Sequence, residues 1–293
     1  MKTRKLIILT FATVLLVCTI LPSIACDGGN SGSDKLGVAV TLVPYANFVQ
    51  QVGGDRVDVT VMVPVGASPH IYQPLNSQMV ALSEAELYVQ VGSGVEFELT
   101  WMDNIIAQNE EMLVVNASDG IELIDSTDAD EPGMDPHVWT SPTNVKIILE
   151  NICDGLIEVD PDNAAYYQGN RDSYLDELDA LDEYINGVFE GYTVRHFLIY
   201  HPSFGYFAAE YNLTQLSIEL EGKEPTPQVI QRCIDLAQQY NLNYVYMDPA
   251  SVTQYAETIA GNIGGTTAML NPLPEDYIES MRAVADAIAL ELE

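Results

Sequence analysis

The sequence predicts two α/β lobes joined by a helical strut, and three observations carry that reading. In both halves of the 293-residue chain, apolar runs of strand length alternate with helical patterns, as in a doubly wound sheet with helices on both faces. A long stretch of helical periodicity separates the halves. The chain also has only four histidines, and three of them (His70, His137 and His201) stand in short turn-like motifs after strand-like or loop segments.

In chain order, GVAVTLV (37–43) reads as a strand before a helix at 45–53, and VDVTVMVP (57–64) leads into the loop holding His70. A helix around 76–85, LYVQVGS (87–93), a helix around 96–109 and LVVNAS (113–118) complete the first alternation. IELIDSTDADEPGMDP (121–136) is polar and turn-rich, a surface loop ending at His137. From Pro142 the pattern is helical, with a break and restart at Asp160-Pro161. From about Asp162 to Phe189, Tyr166, Tyr174, Leu175, Leu178, Leu181 and Ile185 recur at helical spacing. A helix of about 28 residues extends about 42 Å, which suits a strut, and its heptads are too poorly sustained for a coiled coil. HFLIYHP (196–202), LTQLSIEL (213–220), YVYMD (244–248) and TTAML (266–270) then read as strands. Helices through YFAAEYN and at 227–240, 251–263 and 275–291 alternate with them. The expected division is a signal at 1–25, a tether at 26–35, an N-terminal lobe at 36–160, a linker helix at 161–190 and a C-terminal lobe at 191–293.

Residues 1–25 read as an export signal: Lys2, Arg4 and Lys5, an apolar stretch from Leu6 to Leu21, then Ser23-Ile24-Ala25 before Cys26. The small residue before Cys26 points to a lipid-bearing cysteine. Ser23, where such signals usually carry Leu, leaves uncleaved anchoring or a plain cleaved signal as alternatives. DGGNSGSD (27–34) has nothing to bury and reads as a flexible tether. The protein is thus expected outside the cytoplasm, anchored to the outer face of the cell membrane.

With 11 basic and 43 acidic residues, the net charge of −32 argues against a nucleic-acid partner, because phosphate binding needs a basic surface. The acids are spread along the whole chain, so most of the charge reads as a solvated surface suited to a salty environment. It supports cation binding only weakly. Cys153 and Cys233 fall in amphipathic helical patterns and read as small buried apolar residues. The absence of a CxxC pair removes support for a thiolate zinc site.

Imidazole binds zinc near neutral pH without first losing a proton from a cation. Three distant loops would have to converge on such a site, and open α/β sheets bind ligands beyond their strands' carboxyl ends. That combination points to a cleft between lobes. His196 lies five residues before His201, where strand alternation sets it on the opposite face, so it reads as structural. Tyr72, Trp139 and Tyr206 read as packing around the site. Asp135 reads as an acceptor for an imidazole N–H, or as an exposed loop acid.

The signal and tether, PHIYQP, DPHVWTSP, the long helix, HPSFGYFAAEYNL and TTAMLNPL, in that order, resemble the metal-binding solute-binding proteins of zinc and manganese ABC transporters. The likeness covers nearly the whole mature chain. It implies two (β/α)4-like lobes joined by a long rigid helix, with the metal in the inter-lobe cleft and His70, His137 and His201 as ligands. It also implies a monomer with no enzymatic activity that captures a divalent ion, most often Zn2+, for an ABC permease and its ATPase. Family members commonly supply an aspartate where this chain has Asn271, so Asn271 is the expected fourth position, through its amide oxygen or a held water. Fewer oxygen donors favour four-coordinate zinc over manganese. Asp248, Glu219, Glu221, Glu224 and water remain open as alternatives, the glutamates because manganese binders use one after the strand matching LTQLSIEL. Where zinc binders often carry a histidine-rich loop, this chain has Asp125, Asp128, Asp130, Glu131 and Asp135. The rival readings are a zinc hydrolase with a three-histidine site, for which no HExxH base motif is present, a manganese-binding member of the same family, and a secondary role as an adhesin.

Overall fold

The computed structural model describes residues 35–126, 133–219, 224–250 and 252–292. The expected signal, Cys26 and the tether up to Asp34 lie outside the described residues, as do Asp128, Asp130, Glu131 and Glu221.

Strands β1 (Leu36–Leu42), β2 (Val57–Val63), β3 (Leu87–Gln90) and β4 (Leu113–Asn116) form a parallel sheet in the order β2-β1-β3-β4. Parallel neighbours need crossovers, supplied here by α1 (Val43–Gly53), α2 (Asn76–Leu82) and α3 (Glu96–Gln108). Central β1 is buried from Val38 to Leu42 without alternation, as a strand covered on both faces should be. In the second half β5 (His196–Ile199), β6 (Thr214–Ser217), β7 (Tyr244–Met247) and β8 (Thr266–Met269) repeat the arrangement as β6-β5-β7-β8. Their helices are α6 (Gly205–Glu210), α7 (Pro227–Tyr240), α8 (Gln254–Ile263) and α9 (Tyr277–Leu292). Strands β5 and β6 stop short of the expected 202 and 220. The residues beyond them turn into the loops that carry His201 and Glu219.

Helix α4 (Pro142–Val159) starts where Ser141 Oγ accepts the Asn144 N–H and Pro142 fills the first turn. The strut α5 (Ala164–Phe189) has 26 residues, roughly 39 Å, and packs on α1, α4 and α9. Its buried stripe is Tyr167, Tyr174, Leu178, Leu181, Ile185 and Phe189. Tyr166, expected in that stripe, lies one residue and about 100° off it. It is instead 37% exposed and donates its hydroxyl to Asp55.

One apolar core runs through both lobes. Phe48 of α1 meets Tyr277 of α9 edge to face at 5.2 Å, and Phe197, Ile199 and Tyr246 of the second sheet join the same cluster. The alternate residues Leu198, Tyr200, Val245 and Met247 face the other way, into a smaller core with Cys233, Ala237 and Ile259 of α7 and α8. Cys153 and Cys233 are buried and free. Among the described residues no helix is long and apolar enough to cross a membrane.

Candidate metal centre

His70 lies in the loop after β2, His201 two residues beyond β5, and His137 just before a short 3-10 turn, Val138–Thr140, that leads into α4. The structure brings these three rings together. His201 meets His70 edge to face with centroids 5.4 Å apart, and meets His137 at 5.2 Å. The Nε2 atoms of His137 and His201 are 3.3 Å apart. Two ligands of a tetrahedral ion, each at about 2.0–2.1 Å, are separated by about 3.3–3.4 Å, so this pair already stands at ligand spacing. Among the described residues no three His, Cys, Asp or Glu side chains are yet drawn into a complete metal-ready cluster. The His70 ring stands beside that pair, against His201.

Each ring is held from behind by a carboxylate on Nδ1. Glu96 Oε2 takes His70 at 3.0 Å, Asp135 Oδ1 takes His137 at 2.8 Å, and Glu219 Oε2 takes His201 at 2.9 Å. An ionised carboxylate only accepts, so each Nδ1 carries the proton and each Nε2 lone pair faces inward. That is the outer-shell arrangement metal histidines require. The sequence suggested it for Asp135 alone; Glu96 was missed, and Glu219 was expected as a possible metal donor rather than as a brace. Both lie far along the chain from their histidines, among 43 acids, so no local signal marks them.

The loops are tied to one another as well. Buried Glu98 accepts the N–H groups of Val91 (2.6 Å) and Gly92 (2.9 Å) and the Thr41 hydroxyl. This fixes the turn after β3, from which Ser93 Oγ donates to Pro136 O at 2.6 Å. Burial raises the Glu98 pKa against these three lowering contacts. On the other side, Tyr206 of α6 donates to Asp135 O at 2.9 Å and accepts from Ile124 N–H. Gly205 must be glycine, because a Cβ there would stand 2.2 Å from Asp135 Oδ2. Trp139 Nε1 donates to Pro272 O at 2.6 Å. Of the three aromatic residues expected to pack around the site, Tyr206 and Trp139 thus tie it to the second lobe through their polar atoms, while Tyr72 donates to Gln78.

The two buried imidazoles titrate in opposite directions. Burial lowers the His137 pKa, outweighing the Asp135 carboxylate that pulls it up. For His201 burial also pulls down, but the Glu219 hydrogen bond and the charges of Glu219, Asp248 and Asp135 prevail and raise it. Of the two buried rings, His201 is therefore the one that takes up a proton first as pH falls.

The other sequence candidates lie as follows. Asn271 Oδ1 accepts the Leu273 N–H at 3.0 Å, closing a turn, and no hydrogen bond joins Asn271 to the histidines among the described residues. Glu224 accepts the Tyr255 hydroxyl at 2.9 Å. Asp125 is exposed beside a single bridge to Met134. His196 stacks on Tyr240 at 3.7 Å, and burial lowers its pKa, in keeping with a structural residue. Asp248 is 4% exposed. Its Oδ1 accepts the Ala250 N–H, while its Oδ2 has no partner among the described residues.

Residues 38–290 match the family model described as zinc-uptake complex component A, periplasmic. The high-affinity zinc uptake system protein ZnuA of Bacillus subtilis (strain 168) is 28% identical, covering 94% of this chain and 95% of that protein. The manganese-binding lipoprotein MntA of Halalkalibacterium halodurans is also 28% identical, covering 87% of this chain and 85% of that one. A crystal structure of ZnuA superposes with a TM-score of 0.84 at 37% identity, covering 89% of this chain and all of that one. The metal-dependent lipoprotein YcdH of B. subtilis gives 0.75 at 28%, over 88% of this chain and all of its own. The matched family is a component of zinc uptake, and the hydrolase reading falls with it. On the strength of a match that spans both lobes and the strut, this chain belongs to the family of periplasmic zinc-uptake components.

Proposed function

We propose that the protein captures one Zn2+ ion through the Nε2 atoms of His70, His137 and His201. It then hands the ion to an ABC permease and its ATPase at the outer face of the cell membrane. One observation carries this reading: three imidazoles turn their N–H groups outward onto carboxylates, and two of their inward lone pairs stand 3.3 Å apart. Facing lone pairs repel unless a cation lies between them. In the loaded protein that cation is the metal. Capture therefore places the ion between the buried pair, and the exposed His70 loop closes over it. Asn271 is assigned to shaping the neighbouring loop, since its oxygen is already engaged.

A nitrogen-rich donor set suits zinc better than manganese, which prefers more oxygen ligands. The manganese reading has one support, the MntA relative at equal identity. Cys26 is the proposed lipid-bearing residue, in line with relatives named as lipoproteins, and the working form is a monomer. Calorimetric titration of metal-stripped protein tests the central reading. The expected result is saturable one-to-one binding, tighter for Zn2+ than for Mn2+, with no turnover of esters or peptides. Equal zinc binding by a His201→Ala variant would sink it.

A further inference from the structure

We infer that Asp248 supplies the fourth donor to the captured ion, through Oδ2. The inference rests on the three-histidine reading and adds to it the group that closes the coordination sphere. The first support is register. Leu198 pairs with Val245 and Ile199 with Tyr246 across β5 and β7. The bond from Tyr200 N–H to Tyr246 O carries the ladder one step further. Carried two steps on, past the end of β5, the same offset would place Asp248 across from His201, and the Asp248 charge acts on that ring. Parallel neighbours at one register point their side chains to the same side of the sheet, with strands about 4.8 Å apart.

The second support is an orphaned atom. Asp248 is 4% exposed, its Oδ1 is satisfied by the Ala250 N–H at 2.8 Å, and its Oδ2 is buried with no donor among the described residues. A buried carboxylate oxygen without a partner is costly and calls for a counter-charge. The other acids around the histidines are already engaged: Glu96, Asp135 and Glu219 each hold an imidazole Nδ1, and Glu224 holds the Tyr255 hydroxyl. Among the described residues around the histidines, Asp248 Oδ2 is the buried acceptor left over. Three neutral imidazoles and one carboxylate make a four-coordinate set that suits Zn2+ and halves its charge.

The test is Asp248→Asn, which keeps the Oδ1 contact and removes only the charge and the free oxygen. Zinc affinity should fall roughly a hundredfold, the scale of one ligand in a four-ligand site. The d–d absorption of the Co2+-loaded variant should shift from that of the wild type. The zinc-induced rise in Tm should shrink in the variant. Unchanged zinc affinity and an unchanged Co2+ spectrum, with a lower metal-free Tm, would make Asp248 purely structural and overturn the inference. His201→Ala run alongside separates the two claims. If it loses zinc while Asp248→Asn keeps it, only the fourth donor is wrong; if it keeps zinc, the histidine reading has failed. Should the Asn variant misfold, X-ray absorption of the zinc-loaded wild type decides. A carboxylate in the first shell supports the inference, and a shell of imidazoles and water overturns it.

Discussion

The buried pair His137–His201 and the exposed His70 loop build the same motif, an imidazole braced by a carboxylate, in opposite surroundings. The His137 and Asp135 side chains are 12% and 4% exposed, and those of His201 and Glu219 are 16% and 13%. His70 and Glu96 are 44% and 58% exposed. Buried braces act in a low dielectric with little competition from water, whereas a surface contact of this kind contributes little. In the proposed capture the pair is the receptacle and the His70 loop its closure. Each lobe contributes one ring to the receptacle, and the shared core that runs from α1 to α9 holds those two rings in register.

Deleting ligands should expose that difference most strongly. His137→Ala or His201→Ala should weaken zinc binding roughly a hundred- to thousandfold, as loss of one of four donors does. His70→Ala, where water takes the vacated position at an exposed edge, should cost about tenfold and mainly speed release. Competition titration with a chelator of known affinity, together with stopped-flow release, measures both. Equal losses at all three positions would erase the distinction.

Changing the braces comes next. Asp135→Asn should weaken zinc binding roughly 10- to 100-fold, the usual cost of an outer-shell partner. Gly205→Ala should do much the same, since its Cβ would stand 2.2 Å from Asp135 Oδ2 and push the carboxylate off His137. Glu96→Gln, on the exposed ring, should change affinity only a few-fold. The same titration checks all three. A Glu96 effect as large as that of Asp135 would mean that the His70 loop is already closed in solution.

The frame of this site was legible in the sequence and its bracing was not. Alternation of apolar runs marked the strands, and four histidines in the whole chain made His70, His137 and His201 conspicuous. Strand alternation also set His196 apart, and it stacks on Tyr240 away from the trio. The braces were hidden by chain separation: Glu96 is 26 residues from His70 and Glu219 is 18 from His201, while Asp135, two residues from His137, was visible. In a chain with 43 acids, nothing local singles out two of them. The facing of Asp248 toward His201 depends on the β5–β7 register, which periodicity alone does not fix. The displacement of Tyr166 by Tyr167 has the same origin, since the buried stripe of a helix is set by what packs on it.

The opposite titration of the two buried rings gives a milder effect of defined sign. An imidazole with a raised pKa keeps its proton to higher pH, so zinc must displace a proton from His201 even above the ordinary value of about 6.5. As pH falls from 8, affinity should begin to drop before 6.5 is reached, by about tenfold per unit for one displaced proton. His137, with its pKa lowered, adds a second proton and a steeper slope only below that value. In the metal-free protein the His201–Glu219 contact contributes stability that is complete below about pH 6.5 and is lost as pH rises through the folded-state value. Zinc titrations and melting curves across this range check both signs. Glu219→Gln should move the first drop in affinity to lower pH, while Glu96→Gln should leave it in place.

The smallest effect is expected at Tyr206, which touches neither metal nor imidazole. Its hydroxyl accepts from Ile124 N–H at 3.2 Å and donates to Asp135 O at 2.9 Å, so α6 of the second lobe holds the loop that carries His137. Tyr206→Phe removes both contacts and leaves two backbone groups to find water, at a cost of about 1–2 kcal/mol. In a chain of this size that lowers Tm by a few degrees, roughly 2–6 °C. Zinc affinity should stay within about threefold, because Asp135 keeps its bonds to His137 and Ser93 still holds Pro136. Thermal melts with and without zinc give both numbers. A large loss of affinity with an unchanged Tm would instead place the hold on the His137 loop in the second lobe, making lobe contact, rather than the local turn, what keeps the buried pair at ligand spacing.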